Sequence, residues 1–403
     1  MNKDFDVIIV GGGLVGLASA YKIQKKYPKK NILILEKEPH LAFHQSGRNS
    51  GVLHSGLYYK PGSYRAKNCV NGRKELVDFA KKYNIDYDVC GKLVVASNEA
   101  ELNRLPELLK KGVKNGLVGL KIINPKEMKQ IEPFVEGLGA IHVPETGIID
   151  YRQVANKLAN LILEINPKSS ILTNTEVISC ESTAHYTIIS DKKQSYKCSH
   201  AVFCGGLFSD RLAKLDNCNT DLKIVSFRGD YFCLKKSINS KVNHLIYPVP
   251  NPEFPFLGVH FTRMTSGAVE CGPNAVFTFK REGYSKLSFS FKDALDALGY
   301  IGTWILFVKH WRFGLNELIK AYSKRVFLTH LQKMIPSLSM SDIVPGRSGV
   351  RAMAIGMDGD VIDDFRISVN NRNIHVLNAP SPAATACLSI GQAITESLSN
   401  VVD

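Results

Sequence analysis

The chain has 403 residues, 44% of them apolar and 22% charged, as expected of a globular protein long enough for two domains rather than of a disordered chain. Its net charge of +14 suits anionic small molecules or an anionic membrane surface; with dispersed lysines and no RNP-like or zinc-finger pattern, no nucleic-acid partner is expected. Nine cysteines at irregular spacing, with no CxxC pair, argue against a disulfide framework and against a metal site, and fit reduced thiols in the cytoplasm.

The N-terminal FDVIIV run (Phe5 to Val10) is interrupted by Asp6 and meets glycines directly, so it reads as a buried strand rather than a signal peptide. Gly11, Gly13 and Gly16 then form GxGxxG, Leu14 to Tyr27 continues with helical spacing, and Asn31 to Leu35 is a second strand closing on Glu36. Gly11 allows the tight turn, Gly13 close approach of a pyrophosphate to the helix N-terminus, and Gly16 helix–strand packing. Glu36 follows Gly16 by the spacing of a ribose-binding acid, and its charge disfavours a 2′-phosphate. A dinucleotide site follows from this context, with NAD or FAD as the choice.

Pro39 to Lys67 reads as a long loop, where an NAD enzyme would resume alternating strands and helices. Its core, SGRNSGVLHSGLYYKPGSYRAK (46–67), concentrates glycines, His54, three tyrosines and the cations Arg48, Lys60, Arg65 and Lys67, which suits an anionic, reactive partner. Asn174 to Val177 and a strand, a Gly205-Gly206 turn and a helix start in HAVFCGGLFSDRLA favour FAD. So does the C-terminal IHVLNAPSPAATACLSIGQAITESL, a strand, a small-residue turn and an amphipathic helix. Between them, Ile224 to Leu234 and Pro255 to Met264 alternate as half-buried strands, and Phe291 to Phe307 and Phe313 to Lys333 have helical spacing. No run approaches the roughly 18 apolar residues that span a bilayer.

The set GRNSGVLHSGLYYKPGSYRAK, NHLIYPVPNPEFPFLGVHFTRM, GPNAVFTFKREGY, SGVRAMAIGMDGDVIDDF and NAPSPAATA, in this order along essentially the whole chain, closely resembles the L-2-hydroxyglutarate oxidase/dehydrogenase family of D-amino-acid-oxidase-like FAD enzymes. The resemblance implies an α/β protein with a discontinuous Rossmann-like FAD-binding domain (1–81, 144–222 and 341–403) and an α+β substrate cap with an antiparallel sheet (82–143 and 223–340). It implies non-covalent FAD, with no link through Cys387, held by Gly11, Gly13, Leu14, Val15, Gly16, Glu36, Lys37, Asn49, Ser50, Gly51, Val177, Gly205, Gly206, Pro382, Ala383 and Ala384. Wider relatives carry glycines where this chain has Ser381 to Ala384.

Oxidising a 2-hydroxy acid requires a hydride acceptor, a base for the hydroxyl proton and cationic donors for carboxylates. The resemblance makes Arg351 the carboxylate clamp, against pairing with Asp358 or Asp360. It makes His54 the leading base, against a loop-holding role, and His260 the rival, on the strand face shared with Gly258 and Thr262. Arg65, Arg263 and Lys67 are candidates for the second carboxylate, and Tyr58 for lining the pocket. The expected substrate is a dicarboxylic 2-hydroxy acid and the acceptor quinone or O2. YIGTWILFVKHWRFGLNELIKAYSKRVF (300–327) reads either as a peripheral contact with the anionic inner face of the cytoplasmic membrane or as an ordinary cap helix. An amine or amino-acid oxidase of this fold and a non-enzymatic FAD protein are the alternatives.

Overall fold

The computed structural model describes residues 3–251 and 258–402. The apolar N-terminal run forms the strand Lys3–Val10, fully buried from Val7 onward. It lies between two parallel neighbours, Ile32–Leu35 and Ser195–Phe203. Parallel pairing continues to Ser170–Leu172 on one side and Asn373–Asn378 on the other. These five strands come from three distant parts of the chain, and burial of both sheet faces accounts for the non-alternating apolar runs VIIV (7–10) and ILIL (32–35).

The helices Leu14–Lys26 and Cys387–Val402 cross so closely that a Cβ on Gly391 would stand 2.7 Å from the Ala18 carbonyl carbon. Small residues at this crossing join the two chain ends. On the other side of the sheet, the buried Asp216 carboxylate accepts from His375 Nε2 (2.7 Å), Asn373 Nδ2 (2.9 Å) and Asn370 Nδ2 (3.2 Å), and from Ser182 Oγ.

Among the described residues, a second sheet of nine strands contains Lys92–Ala96, Lys121–Ile123, Gly139–Val143, Leu222–Leu234, Leu245–Pro248, His260–Arg263, Val269–Gly272, Val276–Phe277 and Ile343–Gly356. The cap sheet is antiparallel apart from one pair, Leu245–Pro248 running parallel to Lys92–Ala96. No hairpin joins these two strands, so no turn imposes opposite directions. The strand Ile343–Gly356 pairs along Leu222–Leu234; segment 341–403, read as cofactor part, therefore contributes its first strand to this sheet. Of the expected strand 255–264, residues 255–257 lie outside the described residues, and His260–Arg263 is extended.

Three further local expectations change. The loop ending at Lys67 closes earlier, because Ser63 caps a helix, Tyr64–Lys82, by accepting from Ala66 N–H. Segment 291–307 divides into Phe291–Leu298 and Ile301–Lys309 at Gly299-Tyr300. Segment 313–333 begins earlier and divides into Trp311–Tyr322 and Lys324–Gln332, where Ser323 caps the second helix by accepting from Val326 N–H.

Candidate active site

The glycine fingerprint is built as its spacing predicts. Gly11 has φ +113°, and a Cβ there would lie 2.4 Å from the Cys204 carbonyl oxygen. A Cβ on Gly16 would lie 2.0 Å from the Gly11 oxygen. Gly13 begins the helix with no side-chain cap, and Leu14 N–H donates to Ser46 Oγ at 2.9 Å. Val15 lies half-buried in the first helical turn.

At the end of the second strand, Glu36 is buried and accepts from Gly12 N–H (2.7 Å) and Glu38 N–H (2.9 Å). Segment 174–177 runs beside it: Thr175 N–H donates to the Glu36 carbonyl, and Val177 packs under the strand ends. These features fit the pyrophosphate and ribose of a dinucleotide: an open helix N-terminus, backbone too close for a Cβ, and an acid at the adjoining strand end.

Lys37 is drawn elsewhere. Its ammonium meets Glu282 (2.7 Å), His44 Nε2 (3.1 Å) and Glu38, so the cluster Glu38, His44 and Glu282 already encloses a cation of the chain itself.

Loop 45–55 joins the remaining candidate segments. Asn49 donates from Nδ2 to the Gln45 and Ser46 carbonyls and accepts Gly51 N–H at 2.8 Å, so its amide shapes the loop. Gly51 adopts φ +69° and Gly206 φ +52°. A Cβ on Gly206 would stand 3.0 Å from Gln45 Nε2, and one on Gly205 would stand 2.4 Å from Leu212. Ser50 hydrogen-bonds Tyr231. Thr385 Oγ1 accepts His54 N–H (3.1 Å) and donates to the Val52 carbonyl (3.2 Å), tying the loop to the turn holding Pro382, Ala383 and Ala384. Two segments more than three hundred residues apart thereby meet, and His54 Nε2 lies 3.4 Å from Ser381 Oγ.

The second sheet presents one face to this loop. Leu93, Ile246 and Phe261 point into the cap core, whereas Leu245 and Tyr247 pack against Val52 and Ile148 on the other side. The two-residue period places His260 and Thr262 with Tyr247: His260 stacks on Tyr247 with centroids 3.9 Å apart, and Thr262 hydrogen-bonds it. Lys92, 2% exposed, has its ammonium 4.4 Å from the Tyr58 ring centroid and 5.0 Å from that of Tyr247. Among the described residues, the buried Tyr58 hydroxyl has no hydrogen-bond partner.

Burial and a shared positive field set the electrostatics. Desolvation, then Lys92, Arg65 and His260, push the His54 imidazole down to about 3. Desolvation pushes His260 down to about 4; the Gly258 hydrogen bond opposes this, while Arg351 and Lys92 reinforce it. Burial pulls the Lys92 ammonium down to about 7. Both imidazoles are therefore neutral near pH 7, and His260 has a defined tautomer: Nδ1–H donates to the Gly258 carbonyl at 2.8 Å, leaving the Nε2 lone pair as its basic position.

The arginines divide. Arg351 is half-buried and donates to the Asn274 carbonyl at 3.1 Å, while Asp360 pairs with Lys309. Arg65 donates to the Ser381 and Asp363 carbonyls and to the Asp363 carboxylate. Arg263, opposite in parity to His260, pairs with Asp88. Lys67 sits in the first turn of the helix capped by Ser63. Cys387 is buried, and desolvation raises its thiol to about 12. Lys92, Tyr247, Tyr231 and Thr385 were not singled out from sequence; the available signal for Lys92 was a cation opening the wholly apolar remainder of KLVVA.

Comparison with known proteins places this geometry in a family. The model of the FAD dependent oxidoreductase family (DAO) matches residues 6–397. The chain is 46% identical to L-2-hydroxyglutarate dehydrogenase of Indibacter alkaliphilus, covering 98% of each chain. It is 44% identical to the mitochondrial L-2-hydroxyglutarate dehydrogenase of Homo sapiens, over 98% of this chain and 88% of that one. Among solved structures, L-alpha-glycerophosphate oxidase from Mycoplasma pneumoniae with FAD bound superimposes with a TM-score of 0.81 at 22% identity, covering 98% of this chain and 95% of that one. With the fingerprint, Glu36 and the loop–turn junction all in place, the chain belongs to the FAD-dependent oxidoreductases of the DAO family and, within them, to the L-2-hydroxyglutarate dehydrogenase family.

Proposed function

We propose that this protein oxidises L-2-hydroxyglutarate to 2-oxoglutarate and passes the two electrons to quinone or oxygen. The observation carrying the reading is a cluster in which the buried His260 and Lys92 and the half-buried His54 and Arg351 sit among tyrosines; Lys92 and Arg65 weigh on His54, and Arg351 and Lys92 on His260. In a low-dielectric setting such a cluster favours a dianion.

Gly11, Gly13, Gly16 and Glu36 would hold the pyrophosphate and ribose of FAD, and Asn49 to Gly51 with Pro382 to Ala384 would border its ring. FAD supplies the acceptor for the hydride leaving C2. Arg351 binds and orients the carboxylate next to C2 through its planar fork. His260 takes the hydroxyl proton on Nε2, supported by its hydrogen bond to Gly258; a bound dianion offsets the field of Arg351 and Lys92 and raises its basicity. His54, tied through its backbone to Thr385, holds the loop against the C-terminal turn. Loss of the hydride and this proton completes the two-electron oxidation.

The family relationship and the cation cluster favour a hydroxy acid over an amino acid. Anaerobic absorbance of the yellow holoprotein decides: L-2-hydroxyglutarate should bleach the oxidised-flavin band, and D-2-hydroxyglutarate and L-glutamate should not. Bleaching by L-glutamate alone would replace this reading with an amino-acid oxidase.

For the acceptor, the helices Ile301–Lys309 and Trp311–Tyr322 expose Ile301, Trp304, Val308, Trp311 and Leu315 beside Lys309 and Arg312. Among the described residues no helix is long and apolar enough to cross a membrane. The exposed face suits shallow docking on an anionic bilayer, which would bring the protein to quinone.

A further inference from the structure

Lys92 is a fully buried cation with no carboxylate bonded to it among the described residues. Such a group is costly unless something compensates its charge. Two tyrosine rings flank it, and ring faces supply only part of what an ammonium loses on leaving water. One of those tyrosines, Tyr58, carries the buried hydroxyl that has no partner among the described residues. An unsatisfied hydroxyl and an unpaired ammonium against the same ring together supply the donors that one carboxylate accepts.

The other candidate cations are placed elsewhere: Arg65 is engaged with Ser381 and Asp363 and Arg263 with Asp88, and Lys67 is exposed on its helix. Lys92 and His260 lie against the same Tyr247 ring, 5.0 and 3.9 Å from its centroid, so a molecule with a carboxylate at each end would set one end at Lys92 and its hydroxyl at His260, leaving the other end for Arg351. We propose that Lys92 and Tyr58 form the seat of the substrate's second carboxylate and thereby set the preference for dicarboxylic over monocarboxylic 2-hydroxy acids. This inference rests on the hydroxy-acid reading above and adds to it the residues that select chain-end charge.

The test is a substrate comparison in Lys92→Met, which removes the charge at similar length, and in Tyr58→Phe. For Lys92→Met, kcat/KM on L-2-hydroxyglutarate should fall roughly 10- to 100-fold, the range of a lost charge-assisted hydrogen bond. With L-2-hydroxyvalerate, which lacks the second carboxylate, it should change less than about threefold on the same argument. Tyr58→Phe should show the same selectivity with a smaller loss. Equal losses on both substrates would overturn the proposal and place Lys92 at the reacting centre or in a structural role.

A second readout does not need turnover. Binding of 2-oxoglutarate and 2-oxovalerate to the holoprotein, followed by perturbation of the flavin absorbance, should show Lys92→Met weakening only the dicarboxylate; equal weakening would again overturn the proposal. Failure of wild-type protein to bleach with any 2-hydroxy acid would sink the substrate reading, while this binding comparison would still decide the role of Lys92.

Discussion

Replacing His260 by Gln should make the substrate-free holoprotein less sensitive to acid. The folded imidazole is lowered to about 4, mainly by burial, whereas in the unfolded chain it titrates near 6.5. Between those values the unfolded state binds more protons, so this contribution to stability is intact above about pH 6.5, is lost as pH falls, and levels off below about pH 4. Going from about pH 7.5 to pH 5 therefore costs about 2 kcal/mol through His260. His54, lowered to about 3, costs about 2 kcal/mol over the same interval. Wild-type protein should thus lose about 4 kcal/mol through the pair, and His260→Gln about half as much. Urea midpoints and slopes at the two pH values measure this directly. Comparison within the pair cancels the carboxylates, which are the same in both proteins. An unchanged pH-dependent loss in His260→Gln would refute the premise that its ring is held neutral by burial and its cationic neighbours.

Three other outcomes follow from named contacts. Gly11→Ala places a Cβ 2.4 Å from the Cys204 oxygen at φ +113°; a loss of roughly 2 kcal/mol or more is expected, seen as a lower Tm and a reduced ratio of flavin to protein absorbance. Burial raises the Asp216 carboxyl, but hydrogen bonds from His375, Ser182, Asn373 and Asn370 outweigh it and hold the group near 2. It should contribute about 2 kcal/mol above about pH 4, lost as pH falls through about 2; Asp216→Asn should lower the urea midpoint at neutral pH and remove that acid-dependent part. Trp304→Ser with Trp311→Ser should abolish co-sedimentation with vesicles of anionic lipid while sparing bleaching by substrate in solution; vesicle binding equal to wild type would remove these helices from the membrane reading.

The parts legible in sequence were those fixed by short-range chemistry. GxGxxG is informative because each glycine answers a local steric demand, visible as a Cβ that would strike Cys204 or Gly11. The strand face of His260 was legible because period two is a property of any extended chain, and Tyr247 and Thr262 gather on that face. The breaks at Gly299-Tyr300 and Ser323 were less legible, since apolar spacing continues across both while backbone geometry and capping divide the helices. Partners chosen over long range were hidden: Arg263 looked available until Asp88 met it, and Arg65 until the C-terminal turn came within reach.

Lys92 shows why such a site resists reading from one strand at a time. KLVVA lies next to Leu245–Pro248 only because the sheet contains a parallel pair that no hairpin announces. That pairing sets Lys92 opposite Leu245, two residues from Tyr247, and Tyr247 in turn carries His260 on its ring. Meanwhile Tyr58 arrives from the loop that Thr385 ties to the far end of the chain. The ammonium thus owes its burial to four segments, none of which carries a charge pattern that points to the others. Its neighbours make it costly to bury without a counter-charge, and the same arrangement is what the proposed carboxylate seat draws on.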